Sequence, residues 1–473
     1  MDKRQVFEEI RREADRFSAH AKALWDSPEL SFMEKESSAA QKKLCRDLGF
    51  HISELDEIQS YAFVAEYGKG SPVIGILGEF DALPGLSQKL ATVRDPVVQG
   101  GPGHGCGHNL LGTASLGAAY GIMKAIEAGA LSGTIRYFGC PAEEQLGKPV
   151  LAKSGVFDGL DAVLCWHPAD LNTVAAYGTN ASVQLEFRFR GKPAHAAQVP
   201  HMGRSALDAI TLTNVGIEFL REHMPSGARI HYIVNSGGER ANIVPEYASG
   251  TYQIRSPKMR EVVPLIGRVL DVARGASIMT GTSFEYSFLH GCYDVCPNGV
   301  ISDLLHDNLG QAPFPAYTDE DRTLAKALCD TTTEDQRRET LLMLGVDAAS
   351  ASALAKISLH EGIGYWGKQW VIPASTDVGD VSHIAPTAQI NTATWPMGVG
   401  SHTWQATAAS GSGMGMKGMI YAAQVMAGAA WDLIAEPSAL AAAKKEFAES
   451  MGGEVYTPAD KLIERLMDRE KGA

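Results

Sequence analysis

Positive charge is what this chain is short of. Its 473 residues carry 42 Lys and Arg against 55 Asp and Glu, a formal charge of −13. Nucleic-acid grooves and anionic bilayer surfaces are met by clustered cations, so neither is expected as a partner; a small anionic substrate needs only a few local ones. Long apolar runs are missing as well. The late, charge-free apolar stretch 418–431 has 14 residues, against ~18 or more for a bilayer span, and reads as a buried helix. The N-terminus, MDKRQVFEEIRREADRFSAH, lacks the apolar core and cleavage site of a secretory signal. There Val6, Ile10, Ala14, Phe17 and Ala21 recur at the spacing of an amphipathic helix. Cysteine is sparse: seven residues, an odd number with no framework, point to a reduced, cytoplasmic compartment. No repeat, coiled coil or low-complexity tract is present, and no G-x-S-x-G elbow, phosphate loop or H-E-x-x-H helix. The glycines of 100–107 surround two histidines and a cysteine and lack the spacing that cradles a pyrophosphate.

What is present is an ordinary globular composition, 45% hydrophobic and 21% charged, in a chain long enough for two or more folding units. Apolar, β-rich runs at 61–67, 73–80, 134–139, 162–166 and 389–395 alternate with helical stretches, notably 110–130 with its many small residues. That alternation predicts an α/β catalytic domain layered around a central sheet. The middle differs: half-exposed strands at 183–190, 230–235, 247–255 and 283–290 enclose helical patterns at 205–223 and 259–279. They predict a smaller inserted α+β domain, a four-stranded, ferredoxin-like sandwich over 181–293, leaving 1–180 and 294–473 to the catalytic domain. The polar segment 313–365, with a capping-like start at Thr331, Thr332, Thr333 and Glu334, reads as a decoration on the latter.

Chemistry-bearing residues follow the strands. In G-H-G-C-G-H-N (103–109), Cys106 and His108 stand two apart, so in an extended loop both leave one face and suit a borderline-soft divalent metal. A small-residue turn into the next helix is the bland alternative, and His104 reads as a loop residue. G-C-P-A-E-E-Q follows 134–139; of Glu143 and Glu144, one can bind a metal while the other reaches a water, since adjacent carboxylates in an extended loop point apart. His167 ends the run 162–166, His402 lies beyond 389–395, and Asp81 closes 73–80. Ligands gathered at strand carboxyl ends fit the place where open α/β sheets put their sites. Five side chains, with the paired glutamates, exceed one structural zinc and predict two divalent ions per chain, zinc or manganese.

These motifs resemble the dinuclear aminoacylase and carboxypeptidase-type metallohydrolases, in the amidohydrolase branch with a cysteine ligand. The resemblance runs through GEFDALPGLSQ, GHGCGHNLLGTA, FGCPAEEQLGK, WHPA, GKPAHAAQVPHMGRSALDA, NSGGERANIVPE, ASTDVGDVS and SHTWQ. It implies that Cys106, His108, Glu144, His167 and His402 bind the metals, that Glu143 is the general base and that Asp81 orients the ligands. It further implies that His195 of the lid and dimerisation domain stabilises an oxyanion in a partner subunit's site, and that Asn242 and Arg255 hold the substrate's carboxylate. The implied reaction is hydrolysis of an N-acyl amino acid, with an aryl-acyl glutamate such as p-aminobenzoyl-glutamate as leading substrate, by a homodimer or a pair of related subunits. A dipeptidase or hydrolytic deaminase on the same site, or a thiol amidase with Cys106 as nucleophile, are the alternatives. Two departures stand out: Asn109 replaces the aspartate of many relatives and cannot bridge cations as a carboxylate does, and Gly-Glu-Phe precedes Asp81 where the peptidase branch has a histidine ligand.

Overall fold

The computed structural model describes residues 1–471. The chain divides into two compact units. The larger comprises Met1–Gly178, Cys296–Ile372 and Val381–Val455; the smaller comprises Thr179–Val295, Pro373–Asp380 and the chain from Tyr456 onward.

A seven-stranded mixed sheet forms the centre of the larger unit. Four strands in its middle are parallel and lie in the order Thr134–Cys140, Val73–Glu79, Ala162–Ala169, Thr387–Ala393. Antiparallel strands flank them: Phe63–Gly68 and then His51–Glu54 on one side, Thr173–Val174 on the other. Parallel strands are covered on both faces, which is why Val73–Glu79 reads as an almost unbroken apolar run and is buried from Ile74 on. The first of the expected strands starts at Phe63, not 61, because Tyr61 is left-handed (φ 72°) and donates its N–H to Asp56.

Helices His108–Glu127 and Gly413–Ala435 are buried along most of their length and pack against each other. The second is long and apolar enough to cross a membrane, yet here it is a core helix. Glycine lets the first ride directly on the sheet: a Cβ at Gly112 would collide with the carbonyl oxygen of Glu79. That helix begins at His108, two residues before the expected 110, so His108 stands in its first turn. In the 313–365 segment, Thr333 caps helix Glu334–Met343, and its reciprocal partner is Gln336.

The smaller unit is a four-stranded antiparallel sheet, ordered Ser283–Cys292, Ala181–Arg190, Tyr247–Ser256, Arg229–Ser236, with helices Ala206–Leu220 and Met259–Thr280 on its core. One expectation needs correcting here. The segment Pro373–Asp380 and the chain from Tyr456 cluster with this unit and not with the catalytic part. The reason is local packing: Ala459 and Ile463 enter the smaller unit's apolar core, and the Tyr456 hydroxyl donates to Asp380 at 2.7 Å.

Candidate metal centre

The carboxyl ends of the four parallel strands meet at one rim of the sheet, and each delivers polar residues there. Val73–Glu79 ends on Glu79 and leads to Asp81; Thr134–Cys140 leads to the Glu143–Gln145 turn; His167 lies near the end of Ala162–Ala169; His402 follows Thr387–Ala393. Cys106 and His108 arrive from the start of the buried helix.

Three groups of possible ligand atoms form, each within 4.8 Å: Cys106, His108 and His167; Cys106, Glu144 and His402; Glu79, His108 and Glu143. Cys106 belongs to two of them. The Cys106 Sγ lies 3.3 Å from His167 Nε2, and Glu144 Oε1 lies 3.4 Å from His402 Nε2. His108 donates from Nδ1 to Asp81 at 2.8 Å, which turns Nε2 toward Glu79 (3.3 Å) and Glu143 (3.8 Å). His167 likewise uses Nδ1, against the Pro168 carbonyl at 2.7 Å, leaving Nε2 for the site. Partners behind the imidazoles fix ring orientation in this way wherever histidine ligates.

The local backbone is not the extended one expected from the sequence. Cys106 and His108 converge through Gly107, left-handed at φ 73°, where a Cβ would come within 2.9 Å of Pro168. Glu143 and Glu144 share one 3-10 turn between two left-handed non-glycine residues, Ala142 (φ 60°) and Leu146 (φ 59°). Both carboxylates therefore reach the cluster, Glu143 beside His108 and Glu144 beside His402, in place of pointing apart. His402 is itself left-handed at φ 64°. Such strain persists only where surrounding structure enforces it, and it gathers at functional sites. Glu34, which the sequence did not single out, holds the turn by accepting the Ala142 N–H at 2.7 Å.

The charges are arranged for a cation. Burial pushes the Cys106 thiol up, but His167 and His108 outweigh it and bring it to about 6. Cys106 and Glu144 raise His402 to about 10. Burial would raise Asp81, yet His108 holds it down at about 2. Among the described residues, two buried atoms 3.3 Å apart, His108 Nε2 and Glu79 Oε2, have no hydrogen-bond partner. Orphaned buried polar atoms are costly, and two facing each other fit a bound ion that they would coordinate. The donor set of thiolate, imidazole and carboxylate suits zinc, and also tolerates manganese.

Asn109 is committed to the backbone through its amide NH₂. Its amide is buried and donates to the carbonyls of Ala21 and Ser410, both at 3.1 Å, so it braces the helix start. Of the remaining expected residues, His195, Asn242 and Arg255 belong to the smaller unit. His195 and Asn242 sit on facing segments, with Ala196 N–H donating to the Asn242 carbonyl at 3.0 Å. Arg255 lies on the central strand Tyr247–Ser256; the alternation that buries Tyr252 and Ile254 turns Gln253 and Arg255 to the opposite face. His290 neighbours it, and burial together with the Arg255 cation lowers that imidazole's pKa. The sequence drew no attention to His290, to Glu79 as a donor, or to the buried Lys148 paired with Glu79.

A mixed sheet whose four parallel strands carry, at their carboxyl rim, two donor groups sharing a cysteine, and an inserted α+β unit, define the class. The chain belongs to the M20 family of metallopeptidases, and it is a metal-dependent hydrolase of amide bonds. The peptidase dimerisation domain of that family matches residues 177–275. Among individual relatives, one of the subunits of p-aminobenzoyl-glutamate hydrolase from Escherichia coli is 36% identical, over 94% of each chain. The Xaa-Arg dipeptidase of Mus musculus is 30% identical, over 94% of this chain and 92% of its own. A dinuclear metal-binding peptidase of the M20 family from Bacillus subtilis shares the fold, with a TM-score of 0.58 at 17% identity over 90% of this chain and 99% of that one.

Proposed function

We propose that this protein holds two divalent ions, zinc or manganese, and hydrolyses the amide bond of an N-acyl amino acid with a free carboxylate. The substrate we put first is p-aminobenzoyl-glutamate, on which the similar Escherichia coli hydrolase is named to act. The observation that carries the two-ion reading is Cys106 Sγ, common to the group with His108 and His167 and to the group with Glu144 and His402. Cys106 would thus be within reach of either ion, with no call on Asn109. Bound there, the ions would polarise the amide carbonyl and make a water acidic enough to attack at neutral pH.

The chain's own residues do the rest. Glu143, beside His108 and not in the Cys106 groups, takes the proton of the attacking water and returns it to the leaving amine. Asp81 keeps His108 in the tautomer with Nε2 toward the site. His195 serves the oxyanion, and Asn242 and Arg255 the substrate carboxylate; the family resemblance supports these three roles. A match to a dimerisation domain and similarity to a protein named as a subunit support a homodimer or pairing with a related chain. The composition supports a cytoplasmic enzyme without nucleic-acid or membrane partners.

The test is a substrate panel on the metal-loaded enzyme: p-aminobenzoyl-glutamate, N-acetyl amino acids and dipeptides ending in Arg. The highest kcat/KM should fall to the aryl-acyl glutamate. Preference for Arg dipeptides would overturn that assignment in favour of the dipeptidase reading, to which the 30% identity with the mouse enzyme lends support.

A further inference from the structure

One charged pair beside the site has no part in the roles above. Glu79 ends the strand Val73–Glu79 and is 4% exposed; Lys148 opens the helix Lys148–Lys153 and is 0% exposed. A buried ammonium needs a compensating anion, and Lys148 Nζ is paired with Glu79 Oε1. One carboxylate oxygen serves that pairing. The other, Oε2, has no hydrogen-bond partner among the described residues and lies 3.3 Å from His108 Nε2, another buried atom without one. With its Nδ1–H given to Asp81, a neutral His108 presents a lone pair to Oε2, an arrangement that a cation between the two atoms relieves.

Resting on the two-ion reading, we propose that Glu79 is a further ligand of the ion at His108, offering Oε2; its carboxylate groups with His108 and Glu143. Lys148 is its positioning residue. By holding Oε1 it fixes the carboxylate's orientation, leaves a single oxygen for the ion, and offsets a charge that would otherwise blunt the ion's pull on a carbonyl. The Gly-Glu-Phe segment, where the peptidase branch has a histidine, thus still supplies a ligand, from a different atom type.

The experiment compares wild type with Glu79→Gln and with the double variant Glu79→Gln/Lys148→Met, which removes the buried ammonium together with its anion. Each is loaded with Co²⁺, titrated against a chromophoric chelator, and its visible absorption recorded. The double variant should bind one of the two ions at least about tenfold more weakly, with altered cobalt band intensity. In a crystal of the zinc-loaded wild type, Oε2 should lie ~2.0–2.2 Å from the ion. The proposal is overturned if affinities stay within about threefold, if binding weakens while the cobalt spectrum is unchanged (the mark of an outer orienting group), or if Oε2 stands beyond ~3 Å from both ions. The wild-type crystal decides the matter should the variants not fold. A wild type that binds no ion would instead defeat the functional reading itself.

Discussion

Asp81 offers a quantitative handle on the site. It is 1% exposed and accepts hydrogen bonds from His108 Nδ1 (2.8 Å), Ser31 Oγ (2.8 Å) and Glu144 N (3.0 Å). Burial raises its pKa, but His108 and these donors overcome that and hold it at about 2. Against ~3.9 in an unfolded chain, the ionised form is favoured by roughly 2–3 kcal/mol. A depressed carboxyl contributes its stability above about pH 4 and loses it as pH falls toward 2. In Asp81→Asn the amide oxygen can take the place of Oδ2, keeping Ser31 and Glu144. The amide NH₂ then faces His108 Nδ1, where a donor meets a donor. The imidazole must give up that bond or carry its proton on Nε2, and a protonated Nε2 is no ligand. At neutral pH the ion-free variant should lose about 2 kcal/mol in urea melts, and affinity for the ion at His108 should fall ~10–100-fold in chelator competition. A variant as stable as wild type that binds both ions equally tightly would refute the reasoning.

Three further perturbations separate the roles. Glu143→Gln should lower kcat about a hundredfold to ten-thousandfold with ion content unchanged by mass spectrometry; retained turnover would remove it as the base. Cys106→Ala should weaken both ions together, because its sulfur stands in both groups, whereas loss of only one would show that the thiolate does not bridge. Away from the site, His360 is 5% exposed, accepts the Asn172 N–H at 3.0 Å, and is lowered by burial to about 4. Its unfolded counterpart titrates near ~6.5, so stability should fall as pH drops from about 6.5 toward 4, by up to ~3 kcal/mol. His360→Gln should flatten that slope in urea melts at pH 7 and 5, and an unchanged slope would contradict it.

Which features could be read from the residues follows from how far each signal reaches. The central strands announce themselves because parallel strands buried on both faces need continuous apolar runs, as in Val73–Glu79. The rim residues follow, since Asp81, Glu143, Glu144, His167 and His402 each stand just after or near the end of such a run. The turn geometry does not: nothing in Pro-Ala-Glu-Glu-Gln-Leu marks Ala142 and Leu146 as left-handed, because packing around Gln59, Glu34 and Asp81 imposes it. Asn109 looked like an impaired metal bridge, but its amide serves two carbonyls, and such capping is invisible without coordinates. The allegiance of the chain from Tyr456 was equally hidden, since an amphipathic helix shows that it buries a face without showing against which core. Glu79 was hidden by its position, a carboxylate at the end of an apolar strand whose buried partner Lys148 is far along the chain.

The most direct measurement counts divalent ions per chain by mass spectrometry and follows amide hydrolysis before chelation, after it, and after ions are restored. Two ions per chain, activity lost on chelation and regained with zinc or manganese, are expected. One ion or none, with hydrolysis indifferent to the chelator and abolished by thiol alkylation, would contradict this and make Cys106 a nucleophile.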